Sequence, residues 1–125
     1  MPERILVVED DPTIRDLVAT ALADEGYAVR EAGDGPAALT ALAAWSPALV
    51  LLDLMLPGLD GLGVLAERRR RALAPGARFL IFSAQQRARQ SDWDDPDVVA
   101  TLPKPFDLGA LLDTVAAALA GPARG

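Results

Sequence analysis

A chain of 125 residues with 51% apolar content suits one domain with its own core, and no apolar stretch approaches the roughly 18 residues that a membrane span requires. The absence of Cys excludes disulfides, thiolate nucleophiles and the usual structural zinc sites, and the absence of His removes the commonest general base and transition-metal ligand. A net charge of −6 argues against nucleic-acid binding by this domain, because phosphate contacts need clustered Lys and Arg. Met1-Pro2-Glu3-Arg4 leads into a strand without a signal-peptide layout, so a cytoplasmic protein with no membrane attachment is expected.

Ile5-Leu6-Val7-Val8 reads as a strand that stops at Glu9-Asp10-Asp11, and Pro12 then starts a helix with Asp11 as its N-cap. Ile14, Leu17, Val18, Ala21 and Leu22 form one apolar stripe, which Gly26 ends. Ala28 to Ala32 reads as a second strand, and the turn Gly33-Asp34-Gly35-Pro36 launches an Ala-rich helix through Trp45, closed by Ser46-Pro47. The bulky run Ala48-Leu49-Val50-Leu51-Leu52 fits a strand covered on both faces and ends at Asp53. A third helix is expected from about Gly61 to Leu73, then a buried strand Phe79-Leu80-Ile81-Phe82 ending at Ser83. Gln85 to Asp97 shows no clear stripe, so any helix there should be short or loosely packed. Val98 to Leu102 gives a fifth strand ending at Pro103-Lys104-Pro105, and Leu108, Leu111, Leu112, Val115 and Leu119 mark a closing amphipathic helix. The basic run Arg68 to Arg71 reads as a solvated helix end, and Asp92, Asp94, Asp95 and Asp97 as a solvated loop.

Strands alternating with helices imply a parallel α/β sheet with helices on both faces, whose ligands gather at the C-terminal ends of the strands. Glu9-Asp10-Asp11, Asp53, Ser83 and Lys104 all lie at such ends. Each alone admits a bland reading: Asp10 and Asp11 as helix caps, Ser83 as a turn residue, Lys104 as a surface cation. Together they describe a site. Converging carboxylates repel unless a cation neutralises them, and hard oxygen ligands favour Mg²⁺, which leaves a position for a phosphoryl oxygen. Lys104 adds a second positive charge and Ser83 a hydroxyl donor. Without Cys or His, Asp53 is the best candidate nucleophile.

Glu9-Asp10-Asp11, the segment from Asp53 to Gly61, Ser83-Ala84 and Lys104-Pro105-Phe106 stand in an order and spacing that resembles the receiver domain of two-component response regulators over essentially the whole chain. The resemblance implies a doubly wound (βα)5, flavodoxin-like and CheY-like fold with strand order 2-1-3-4-5, a receiver domain over residues 1–120, and a tail or linker start over 121–125. It implies that Asp53 accepts a phosphoryl group from a histidine kinase or histidine phosphotransfer protein. Asp11, Asp53 and the backbone carbonyl of Met55 would bind Mg²⁺, with Asp10 assisting through water. Lys104 would contact the phosphoryl group across a cis Lys104-Pro105 bond, and Ser83 would move to it, altering the surface offered to an output domain or target protein. Such a module is not a turnover enzyme.

The chain also departs from that family. Thr101 occupies the switch position where Tyr or Phe is usual, and the Gly-Ala pair common before the fifth strand is missing, which points to an atypical output surface. Thr114 stands where the winged-helix DNA-binding subgroup tends to carry Arg, so a monomer or weak dimer is expected. Two alternatives remain at this level. One is a degenerate receiver acting as a phosphorylation-independent scaffold. The other is a haloacid-dehalogenase-type phosphatase, which needs an Asp two residues after the nucleophile, where this chain has Met55. A flavodoxin-like cofactor site is disfavoured by the acidic loop after the first strand.

Overall fold

The computed structural model describes residues 2–83 and 95–120. The chain alternates β1 (Arg4–Val8), α1 (Pro12–Asp24), β2 (Ala28–Ala32), α2 (Gly35–Trp45), β3 (Leu49–Leu52), α3 (Gly61–Arg71), β4 (Arg78–Ser83), β5 (Val98–Pro103) and α4 (Leu108–Ala120). All strand pairs are parallel, and the sheet order is β2-β1-β3-β4-β5. Most of the expected helix between Gln85 and Asp97 falls on 84–94, outside the described residues.

Period-two alternation along the strands separates two cores. Leu6, Val8, Val50, Leu52, Phe79 and Ile81 pack against Ala38, Leu39 and Leu42 of α2 and Val64 and Leu65 of α3. Ile5, Val7, Leu49, Leu51, Leu80 and Phe82 pack on the other face against Val18 and Leu22 of α1 and Leu111 and Val115 of α4. β3 is buried throughout, as an apolar strand between two helical layers should be. In α1 the stripe is narrower than expected. Ile14, Val18 and Leu22 stack at i, i+4 and i+8, whereas Leu17 sits about 100° round the helix from Val18 and is 51% exposed.

The helix starts follow side-chain chemistry. Asp11 Oδ1 accepts from the N–H groups of Thr13 (2.9 Å) and Ile14 (3.3 Å), Asp34 Oδ1 from Ala37 (2.7 Å), and Asp60 Oδ1 from Gly63 (2.8 Å).

Two expectations of solvated charge are overturned. Arg68 is buried, because its guanidinium serves the carbonyls of the α3–β4 connection: Nε donates to Leu73 O (2.9 Å) and Nη2 to Ala74 O (2.8 Å) and Ala77 O (3.3 Å). It also pairs with Asp97 and lies 5.1 Å from the Phe79 ring centroid. Asp95 is buried too, with Oδ1 accepting from Arg69 Nη2 (3.0 Å) and from the Asp97 N–H (2.9 Å). Charges satisfied by backbone groups and by each other can be buried, which the polarity of the segment does not reveal. Asp92 and Asp94 lie outside the described residues.

Candidate functional site

The winding reverses between β1 and β3, so the C-terminal ends of these strands are neighbours on one rim, where sheets of this kind open a crevice. Register does the rest. Val8 pairs with Leu52, and the Asp53 N–H donates to Val8 O at 3.1 Å, so the residues that follow the two strands, Glu9 and Asp53, stand side by side. On the far side Ser83 pairs with Pro103, which carries the chain straight to Lys104.

Asp53 is a buried carboxylate with both oxygens engaged: Oδ1 accepts from the Met55 N–H at 2.9 Å and Oδ2 from Lys104 Nζ at 2.8 Å. Glu9 is buried as well; one of its oxygens accepts from Lys104 Nζ and the other, Oε2, from the Asp11 N–H at 3.0 Å. Lys104 is thus the internal counter-ion of two buried acids. Its ammonium also lies 5.1 Å from the Phe82 ring centroid, whose ring meets Phe106 edge-on at 6.0 Å. The Lys104-Pro105 peptide is cis.

The loop after β3 is held close to the sheet. Gly58 takes a left-handed φ of +74°, and the Gly61 N–H donates to Leu54 O at 3.0 Å. A Cβ at Gly61 would lie 2.5 Å from Asp53 O and 2.7 Å from Leu54 Cα, so α3 abuts the loop after β3 only because that side chain is absent.

Burial pushes the Glu9 carboxyl above its ordinary value, against the lowering effect of its bonds to Lys104 and the Asp11 N–H. Burial alone would lower the Lys104 ammonium, but its hydrogen bonds to Asp53 and Glu9 outweigh that and hold it above its ordinary value.

Glu9, Asp10 and Asp53 each offer a carboxylate oxygen within 4.8 Å of the others, with Asp10 exposed at the mouth. Three carboxylates against one ammonium leave an excess of negative charge over hard oxygen donors, which suits Mg²⁺. Asp11 is not in this group; its carboxylate caps α1. Glu9, the first residue after β1, is the third member of the group, whereas an Asp directly before a helix-opening Pro is placed to cap. Ser83 is the last residue of β4, its side chain lying outside the described ones, and Thr101 is exposed on β5. An open groove of about 580 Å³, lined by residues including Arg4, Pro47 and Pro75, lies at the N-terminal end of the sheet, away from these acids.

Known proteins arrange themselves around the same features. The family model described as "Response regulator receiver domain" matches residues 5–116. The response regulator MprA of Mycolicibacterium vanbaalenii is 39% identical over 123 residues, covering 95% of this chain and 51% of that protein. The DNA-binding response regulator MtrA of Mycolicibacterium smegmatis is 50% identical over 64 residues, covering 51% of this chain and 28% of that protein. The chain therefore spans about half, or less, of the length of these curated relatives. Among solved structures, the receiver domain of NtrX from Brucella abortus superposes with a TM-score of 0.82 at 35% identity, covering 94% of this chain and 99% of that one. The response regulator TrrA of Thermotoga maritima, solved in complex with Mg²⁺-BeF, gives 0.81 at 33% identity, covering 94% and 99%. With its strand order, its rim of acids and a family match over nearly its whole length, the chain belongs to the CheY-like receiver domains of two-component response regulators.

Proposed function

We propose that the chain is a phosphoacceptor switch in which Asp53 takes a phosphoryl group from a phosphohistidine on a kinase or phosphotransfer protein. The observation that carries this reading is the buried Asp53 carboxylate, aimed by the Met55 N–H at 2.9 Å and by Lys104 Nζ at 2.8 Å beside two further acids. The donor histidine lies outside these 125 residues, which contain no His. An Asp53 oxygen attacks phosphorus, the P–N bond breaks, its electron pair stays on the imidazole nitrogen, and an acyl phosphate forms. Lys104, already within reach of Asp53, holds a phosphoryl oxygen by point charge. Asp10, Asp53 and the Met55 carbonyl would hold Mg²⁺, and the capping role of Asp11 favours Asp10 over it as the direct ligand. When bound, the ion neutralises charge on the transferring oxygens.

The new dianion supplies a partner that exists in only one state. Ser83, at the end of β4, would donate to it, and the response would spread through Thr101 and the exposed face of β5 to an output domain or target. Relatives named as DNA-binding response regulators support a genetic output carried outside this domain. Met55 stands two residues after the acceptor with its side chain exposed and offers no acid or base, which favours a phosphoacceptor over a phosphatase with turnover.

Incubation with Mg²⁺ and acetyl phosphate, read by intact mass, tests the reading. One added phosphoryl group is expected, absent in Asp53→Asn and much slower to appear in Lys104→Met. No mass gain, or a gain retained in Asp53→Asn, overturns it.

A further inference from the structure

Arg15 lies outside the acidic cluster, yet it reaches the cluster's backbone. From the first turn of α1 its Nη1 donates to the carbonyl oxygen of Glu9 at 2.9 Å, while its Nε pairs with Glu31 Oε1 on the edge strand β2 at 3.3 Å. Gly33, just past β2, lies against the guanidinium: a Cβ there would come 2.9 Å from Nη1 and 3.7 Å from Cζ. Gly33 is not among the residues with positive φ, so what the glycine supplies is clearance.

The oxygen that Arg15 holds belongs to the peptide joining Glu9 to Asp10. Its neighbours are held too, since the Glu9 N–H donates to Ala32 O at 3.0 Å and the Asp11 N–H to Glu9 Oε2 at 3.0 Å. A planar peptide fixed at its oxygen leaves few soft dihedrals to redirect the next side chain, and that side chain is Asp10. Groups behind a metal ligand that fix its orientation are commonly worth 10- to 100-fold in affinity.

We propose that Arg15 is a positioning residue for the divalent-ion site: clamped to Glu31 and to the Glu9–Asp10 peptide, it presets the Asp10 carboxylate, and Gly33 is the clearance that lets the clamp close. This rests on the reading that Asp10 and Asp53 hold the ion. Charge alone argues the opposite sign, because a guanidinium near a cation site repels the ion and its removal would tighten binding.

The test is the Kd for Mg²⁺, measured by calorimetric titration of the full chain at fixed ionic strength. The variants are Arg15→Leu, Arg15→Lys, Gly33→Ala and the double change Arg15→Leu with Gly33→Ala. Gly33→Ala keeps every charge and displaces only the guanidinium tip. Arg15→Leu is expected to weaken Mg²⁺ by about tenfold, and Gly33→Ala, whose methyl asks only a small shift of the guanidinium tip, by a smaller factor. The double variant should be no weaker than Arg15→Leu, Arg15→Lys should recover part of the loss, and the thermal midpoint of Gly33→Ala should stay near the parent's. Parent-like or tighter binding in Arg15→Leu overturns the inference while leaving the ion site standing. A parent chain that does not bind Mg²⁺ overturns both.

Discussion

At the residue scale the site is governed by what burial does to charge. Glu9 has a raised pKa, so between its ordinary value of 4.5 and that raised value the folded chain binds more protons than the unfolded one. The slope of stability with pH is then negative: the contribution of Glu9 declines as pH rises through the window and is recovered on acidification. Urea denaturation of the metal-free chain should therefore show Glu9→Gln gaining stability relative to the parent as pH rises from 4.5, and a difference that does not change with pH would contradict this. Lys104, also raised, contributes stability that is complete below its ordinary value of 10.5 and lost only in strong base, so it adds no slope in the acid range. Asp53, Ser83 and Lys104 were legible as strand-end residues. The roles of Glu9 and Asp11 were not separated, because adjacent acids differ in the sequence only by position relative to the helix start. Asp11 caps α1, as its place before Pro12 implies, and its carboxylate lies outside the three-acid group.

At the element scale, close approach and buried pairing decide what the chain tolerates. A Cβ at Gly35, the first residue of α2, would overlap the Leu59 carbonyl oxygen and lie 2.6 Å from the Leu59 Cβ, and backbone cannot yield cheaply. Gly35→Ala is expected to cost roughly 1–3 kcal/mol, the usual range for overpacking, whereas Gly76→Ala, which meets nothing within 4 Å, should be close to neutral. Thermal or urea unfolding of the two variants checks the contrast. Arg68 ties the end of α3 to the entries of β4 and β5. Arg68→Met should cost roughly 3–5 kcal/mol, and Arg68→Lys should restore little of it, because an ammonium cannot spread over the same fork of carbonyls. Element order and most boundaries could be read from periodicity and capping residues. Arg68 could not, since four consecutive arginines at a helix end carry the pattern of a solvated terminus, and only the path of the α3–β4 connection brings carbonyls around one of them.

At the scale of the whole molecule, alternation of strand and helix implied the parallel sheet, and the family motifs supplied its order. The pairing register was beyond reach, because continuous apolar strands such as Leu49 to Leu52 look alike in every alignment with their neighbours. That register gathers the acids on one rim, so an ion bound there should stabilise the fold as a unit. With free Mg²⁺ at ten times its Kd the gain should be about 1.4 kcal/mol, visible as a rise of several degrees in the thermal midpoint and lost in Asp10→Asn.

The ammonium that bridges Glu9 and Asp53 arrives from 95 residues beyond Glu9. A nascent chain still short of β5 carries both acids without their cation, so its acceptor carboxylate lacks the group that aims it. On the proposed reading of Asp53, copies that stop short of β5 should be modified far more slowly than finished ones, so that readiness for the signal comes late in translation.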